Sequence, residues 1–177
     1  MLSTKRLLLS FFVVLAIAIW TIPASAQRPQ PIGDPMSAFT GFEIASGYNE
    51  GDEVYGWLCY GRVAGALSGD FTLTMDYVPA KSLPGSYSPV ERGQWTFPVY
   101  TRTIRGETYM GVLYGNVIGG GIQWDYLGTT GTMSLKLEIT GGTQTLDGLK
   151  GEIDFNTEIY RDGSGRPPMK GDLTFHF

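Results

Sequence analysis

The sequence predicts an all-β protein that forms a single closed antiparallel barrel of about eight strands. Apolar residues recur at every second position over most of the chain, as expected of strands with one buried face. No window has a convincing helical period, and glycine or proline interrupts each stretch where a helix could grow. Turn signals divide the chain into roughly eight strands, the usual number for a small closed barrel.

Residues 1–26 are predicted to be a cleavable signal peptide. Lys5 and Arg6 precede an apolar run that extends to Trp20, and residues 24–26 (Ala-Ser-Ala) form a small-x-small cleavage site. The alternative is an uncleaved membrane anchor, but the run is shorter than the ~20 residues of a spanning helix and Pro23 follows it. The sequence therefore predicts an exported protein, periplasmic or extracellular, with no stable membrane anchor after cleavage.

The composition excludes several functional classes. Removing residues 1–26 leaves 11 basic and 17 acidic residues, a net charge of −6, which argues against binding to nucleic acid or to anionic membranes. Cys59 is the only cysteine, so no disulfide forms within the chain. We interpret Cys59 as a small buried apolar residue rather than a reactive thiol.

Residues 27–38 carry three prolines and no periodicity, which is typical of a flexible segment, so the barrel domain is predicted to span residues 39–177. Alternation is clearest at 71–77, 95–99, 133–139, 153–159 and 173–177. Turn signals lie at 49–52, 82–86, 105–106, 119–121 and 162–168. Pro98, in the middle of a strand, indicates an edge, a bulge or a barrel seam.

Three further strands, around 54–63, 109–118 and 122–127, are apolar on both faces, so their outer faces need a cover. Arg62 and Asp125 lie within these strands, where an unpaired charge is costly. One hypothesis is that they pair with each other or across a subunit interface. The alternative is that each reaches water at a strand end.

A short pattern of apolar, polar, Gly, acid, apolar occurs three times, at residues 67–71, 149–153 and 169–173. Strand alternation points the apolar positions inward and the acids Asp70, Glu152 and Asp172 outward, beside a glycine kink. The spacing of the three copies is irregular, which excludes a solenoid or propeller repeat.

A glycine-rich stretch at residues 140–151 is predicted to form a turn at a barrel corner, with the structural positions Gly141, Gly142, Thr143, Gly148 and Gly151. This stretch resembles the Gly-Gly-Thr-Gly-x-(aromatic)-x-Gly-x-x-Gly turn of the allene oxide cyclase and dirigent β-barrel superfamily, which has many exported bacterial members. Gln144 replaces the usual fourth glycine and Leu146 the aromatic. The likeness is good over residues 130–177, and covers 39–129 only in general β character.

The resemblance implies an eight-stranded antiparallel barrel with an apolar interior cavity, often trimeric. It also implies work on reactive intermediates, either cyclisation of an unstable epoxide or steering of phenoxy-radical coupling. The polar groups of such cavities lie outside the matched turn, so no catalytic residue is transferred. Calycin-type barrels such as lipocalins fit the strand count, but the first strand lacks their Gly-x-Trp opening.

Aromatic side chains are the candidate ligand-binding residues. Taking Leu67 as inward places Cys59, Trp57 and Tyr55 on the inner face and Tyr60 outside, unless a bulge at Gly61 or Gly65 inverts the alternation. The candidates for the interior are Trp57, Trp95, Tyr109, Trp124 and Tyr126, with Phe97 beside them. Either they fill the core, or they line a pocket for a flat apolar molecule, with Tyr109 or Tyr126 as polar handles.

No metal site and no cofactor is predicted. His176, the only histidine, lies on a predicted outward face, which argues against a Ser-His-Asp triad and against a His/Cys zinc site. Asp52 and Glu53, near Glu50, lack EF-hand spacing and suit a solvated turn better than a calcium site. Gly119–Gly121 are followed by a strand rather than a helix, so a phosphate loop is not supported.

Three functions remain open. The first is binding of a small hydrophobic, apolar or aromatic molecule in the interior. The second is a cofactor-independent cyclase or isomerase of the allene oxide cyclase or dirigent type, which holds a reactive substrate in one conformation. The third is a structural envelope protein with a solid core. A homo-oligomer is a further possibility that the sequence leaves open.

Overall fold

The computed structural model describes residues 34–79, 85–104, 106–161, 163 and 165–177. The strands are β1 (Met36–Glu50), β2 (Glu53–Gly65), β3 (Gly69–Tyr77), β4 (Tyr87–Ile104), β5 (Glu107–Trp124), β6 (Thr130–Gly142), β7 (Gly151–Tyr160) and β8 (Pro168–His176), with one turn of 3-10 helix at Gln144–Leu146. The predicted signal peptide lies outside the described residues. β1 begins at Met36, three residues before the predicted start of the barrel domain.

The strands form a closed antiparallel barrel in sequence order, which confirms the predicted architecture. β8 returns to pair with β1, and in this seam Phe39 lies opposite Gly171. Because the number of strands is even, β1 begins and β8 ends at the same end of the barrel, which we call the base. We call the opposite end, where β1, β3, β5 and β7 finish, the mouth.

Alternate residues of each strand point into the barrel and form one hydrophobic core, as the sequence pattern predicts. The alternation is regular along β6, where every second residue from Gly131 to Ile139 is buried. β7 and β8 follow the same rule from Ile153 and from Met169. The core therefore lies inside the sheet, and the outer face carries the polar residues of these strands.

β5 corrects one prediction from the sequence. Gly119–Gly121 do not separate two strands but lie within β5, where the pairing with β6 shifts by one residue between Val117 and Gly119. Gly120 has φ +108, a backbone conformation that other residues rarely adopt. The extra residue of this bulge is Ile118, and the glycine run that follows it continues the strand instead of forming a turn. The segments predicted at 109–118 and 122–127 therefore form one strand that ends at Trp124.

The repeated glycine–acid pattern marks close contacts between strands. The acids lie on the outer face, and Asp70 and Glu152 remain partly exposed there. A Cβ atom at each preceding glycine would overlap a carbonyl oxygen of the neighbouring strand: Gly69 with Pro98, Gly151 with His176, and Gly171 with Asn156. Each glycine thus allows close approach of the neighbouring backbone.

The connection between β6 and β7 forms the predicted turn and closes the base. The Thr143 hydroxyl accepts a hydrogen bond from the Val112 N–H at 2.9 Å, and the Thr145 hydroxyl accepts one from the Met110 N–H at 2.8 Å. These bonds fold the 3-10 turn over the start of β5. Leu146 is then fully buried in the core.

Candidate functional site

Buried polar side chains are concentrated toward the mouth. Among the described residues, four polar side chains are buried: Ser37, Glu43, Ser88 and Thr157. Ser37 is near the base, where its hydroxyl donates to the Leu67 carbonyl at 2.9 Å. The other three lie on strand segments that approach the mouth. Since buried polar groups are costly in an apolar core, this end is the candidate site.

Glu43 is the side chain that distinguishes the mouth from the remaining core. It continues the inward alternation of β1 after Phe39 and Gly41, lies opposite Cys59 of β2, and is only 6% exposed. No described hydrogen bond or ion pair involves its carboxylate, yet its oxygens are not among the fully buried side-chain atoms without a partner, which in the described part of the chain are Asp70 Oδ1 and Trp95 Nε1. The Glu43 carboxylate is therefore a largely buried acceptor that keeps some contact with solvent at the mouth.

Tyr77, the last residue of β3, lies in the field of Glu43. Burial raises the pKa of the Tyr77 hydroxyl; the guanidinium of Arg161 opposes this rise in pKa and the Glu43 charge adds to it. The hydroxyl therefore stays protonated at neutral pH and can donate or accept a hydrogen bond.

Trp124 forms the opposite wall of the mouth and is covered by a cation. The Arg161 guanidinium carbon lies 4.0 Å from the centre of the Trp124 ring, a cation–π contact. The indole N–H donates to the Ser88 hydroxyl at 3.2 Å. These contacts fix the ring at the end of β5, so Arg161 and Trp124 act as one rim element.

Below the mouth, aromatic rings fill the middle of the barrel. The centre of the Phe39 ring lies 5.0 Å from that of Phe155 and 5.9 Å from that of Phe71. Phe71 stacks on Trp95 at 6.2 Å and contacts Phe97 at 6.5 Å. Such distances are those of packed aromatic pairs. This aromatic layer sets the floor of the mouth.

The predicted ligand-binding residues separate into three groups. Trp57 and Trp124 are buried near the mouth, Trp95 belongs to the aromatic layer, and Tyr109 is buried near the base, at the start of β5. The inward placement of Tyr126 is wrong: it lies in the turn after β5 and is 76% exposed. Because β5 ends at Trp124, strand alternation no longer applies at Tyr126.

Tyr55 also departs from the predicted alternation. Cys59 and Trp57 are inward as expected, but the β2–β3 pairing shifts between Val54 and Trp57, so Val54 is buried and Tyr55 is only partly buried. The bulge lies at Gly56, with φ +70, rather than at Gly61 or Gly65.

The proposed pairing of Arg62 with Asp125 is wrong. Arg62 lies on the outer face, with its Nε 4.0 Å from Asp70 Oδ1. Asp125 instead accepts hydrogen bonds from the backbone and side chain of Thr129, at 2.8 and 3.0 Å, and holds the turn between β5 and β6. Both charges therefore find partners on the monomer.

Cys59 is a core residue, as predicted from the sequence. It is fully buried and burial raises the pKa of its thiol well above the ordinary value, so it is not a thiolate nucleophile at neutral pH. The described residues include no group of three or more His, Cys, Asp or Glu side chains that could hold a metal ion.

Sequence reasoning did not find Glu43, Tyr77 or Arg161. A signal for Glu43 was present, because it is an acid at an inward position of an alternating strand, after Phe39 and Gly41. Tyr77 was recognised only as the end of a strand. Arg161 had no local signal, since its contact with Trp124 depends on the barrel bringing β5 and β7 ends together.

Comparisons of the chain with protein-family models, curated proteins and solved structures give no match. Across the described ranges, none of the helical structure is long and apolar enough to span a membrane.

Proposed function

We propose that this protein binds a small, largely apolar molecule at the mouth of the barrel, with a hydrogen-bond donor of the ligand against Glu43. The observation that carries this proposal is the Glu43 carboxylate, the one acidic side chain among the buried residues that the structure describes, with the buried Tyr77 also toward the mouth. A largely buried charge reduces stability, and ligand sites are where folds retain such groups. A hydroxyl or amine of the ligand would donate a hydrogen bond to this carboxylate.

The walls of the mouth restrict what this ligand is. Trp57 and Trp124 offer flat apolar surfaces, and the aromatic layer below limits how deeply a molecule can enter. A flat molecule with one donor group fits better than a long chain. Export to the periplasm or the cell exterior, and kinship with the allene oxide cyclase and dirigent superfamily, remain part of this proposal, supported by the leader sequence and by the turn at residues 140–151.

A cofactor-independent cyclase or isomerase is the second candidate. The feature that favours it is a carboxylate and a protonated phenol, Glu43 and Tyr77, both largely buried toward the mouth of an apolar barrel. Such a pair can accept and donate a proton on one bound substrate. Turnover that requires both groups and no added metal would favour this enzyme over a binding protein.

The binding proposal is tested with N-phenyl-1-naphthylamine, a flat apolar fluorophore with one N–H donor. We expect the probe to bind with a Kd of about 1–10 μM and to lose about tenfold in affinity in Glu43→Gln, because a hydrogen bond to a charged acceptor is worth about 1.5–3 kcal/mol. Glu138→Gln, on the exposed outer face of β6, is the matched control and should bind as the wild type does.

The same substitution should stabilise the fold. Glu43→Gln removes a largely buried charge, so we expect the free energy of unfolding in urea to rise by about 1 kcal/mol while probe binding weakens. A loss of stability would instead give Glu43 a structural role. Native mass spectrometry of the protein from its own host's exported fraction would identify a natural ligand; no bound molecule and no probe binding would favour the solid-core structural protein.

A further inference from the structure

The outer face of the barrel carries a second concave site. The glycine run Gly119–Gly121, which directly follows the bulge at Ile118, leaves β5 without side chains where it runs beside β6. The result is an open groove of about 270 Å³ lined by Gly120, Ser134, Leu135, Lys136, Asp154 and Asn156. We call these residues the outer groove.

Four polar groups of different chemistry line the outer groove as two cross-strand pairs. Ser134 lies opposite Asn156, and Lys136 lies opposite Asp154, on neighbouring strands β6 and β7. They offer a hydroxyl, an amide, an ammonium and a carboxylate within a small area. Donors and acceptors therefore alternate across the groove, and its two charges have opposite sign.

Contacts from outside the groove hold the two charged side chains in place. His176 Nε2 lies 2.9 Å from Asp154 Oδ2, and Lys136 Nζ lies 3.2 Å from Glu152 Oε2. The second contact of His176, with Asp34 Oδ1 at 3.1 Å, orients the imidazole. Preorganised side chains lose less entropy when a ligand binds.

An exposed aromatic ring borders the groove across β5. Tyr87 of β4 is 52% exposed, and its ring lies where a Cβ atom of Gly121 would be. Gly121 is opposite Ser134 in the β5–β6 pairing, so the Tyr87 ring and the polar groups follow one cross-strand row. The site thus combines an aromatic face with a mixed set of hydrogen-bond groups.

We propose that the outer groove binds one unit of a neutral oligosaccharide. A sugar ring presents several hydroxyls, each a donor and an acceptor, and an apolar C–H face, which match the four polar groups and the Tyr87 ring. Lys136 and Asp154 have opposite charges and each already has a charged or polar partner, Glu152 and His176, so neither an anionic nor a cationic ligand is favoured. The groove is open along one side, so a sugar chain can extend beyond it.

The test is a titration of the ¹⁵N-labelled protein with cellotetraose, chitotetraose and maltotetraose, followed by amide chemical shifts. We expect at least one of the three to shift the amides of Ser134, Lys136, Asp154 and Asn156 with a Kd of about 1 mM, as befits a shallow site. Asn156→Val should weaken binding about tenfold. Asn116→Val, at an exposed position of β5 outside the groove, is the matched control and should have no effect.

A second variant blocks the groove without straining the fold. Gly119 has no atoms near its Cβ position and lies opposite Lys136, so Gly119→Trp places a bulky ring beside the groove. We expect this variant to fold and to abolish the shifts. Absence of shifts in the wild type at about 10 mM of each sugar, or shifts that persist in both Asn156→Val and Gly119→Trp, would overturn the proposal.

Discussion

The imidazole of His176 lies between the carboxylates of Asp154 and Asp34 on the outer face of β8. The hydrogen bond to Asp154, followed by that to Asp34, raises the pKa of His176 above its ordinary value. The folded state therefore favours the protonated imidazole. The stability that the protonated imidazole adds to the fold is fully present below the unfolded pKa of about 6.5. It is lost as pH rises through the folded pKa.

We therefore expect His176→Gln to lower the free energy of unfolding at about pH 5.5 and to have little effect at about pH 9. The loss should stay below about 1 kcal/mol and shrink in high salt, because the side chain is 38% exposed and the ion pairs are screened. Urea denaturation at the two pH values measures it. An equal loss at both would contradict a role for the charged imidazole.

At single residues, inward or outward placement follows from the sequence only where no bulge intervenes. Cys59 and Trp57 were placed correctly, whereas Tyr55 was not. The difference arises at Gly56, whose N–H donates to Asp76 Oδ1 at 2.8 Å. That contact joins residues twenty positions apart, so no local pattern encodes it.

Strand β5 shows the same limit for a whole element. A triple glycine is ordinarily a turn signal, but in this strand it allows one long strand to bend while it keeps two partners. The sequence predicts two strands where the structure has the single strand β5, and it names no strand in the region of β1. The predicted number of eight strands is right because these two errors cancel. The regular strands β6, β7 and β8, which lack such interruptions, were predicted from alternation alone.

The glycines of β5 differ in how much space surrounds the position of a Cβ atom, so substitutions at them should differ in their effect on stability. A Cβ atom at Gly115 would overlap the Glu138 carbonyl oxygen and press on the Trp95 ring, whereas one at Gly119 would meet nothing. We expect Gly115→Ala to cost about 3 kcal/mol or more and Gly119→Ala to change stability by less than about 0.5 kcal/mol. Urea denaturation followed by tryptophan fluorescence compares them. Equal stabilities would show that β5 and β6 do not approach so closely at Gly115.

The two sides of the whole barrel differ in character. The outer faces of β6, β7 and β8 are rich in charged side chains. Those of β2, β4 and β5 instead expose large apolar or aromatic residues: Tyr60, Tyr100, Met110, Tyr114 and Ile118. Exposed patches of this kind are typical of protein interfaces.

A homo-oligomer that covers this apolar side remains a prediction for the whole molecule. We expect sedimentation velocity at about 100 μM to show a species larger than the monomer, because association would remove the exposed apolar side from water. A stable interface buries about 800 Å² of each partner. Tyr114→Lys should shift the protein toward the monomer, while Thr132→Lys, on the charged side, should not. A strictly monomeric wild type at this concentration would exclude the interface.

The even strand number has a practical consequence for how the molecule is presented to its surroundings. β1 begins and β8 ends at the base, and the Asp34–His176 contact shows that these two points are close. A biosensor surface, a carrier protein or an affinity tag joined directly before β1 or directly after β8 would therefore lie at the base, on the side away from the mouth. The mouth, with Glu43 and Tyr77, would face the solution in both arrangements, so immobilised protein is suited to screening for ligands of the mouth.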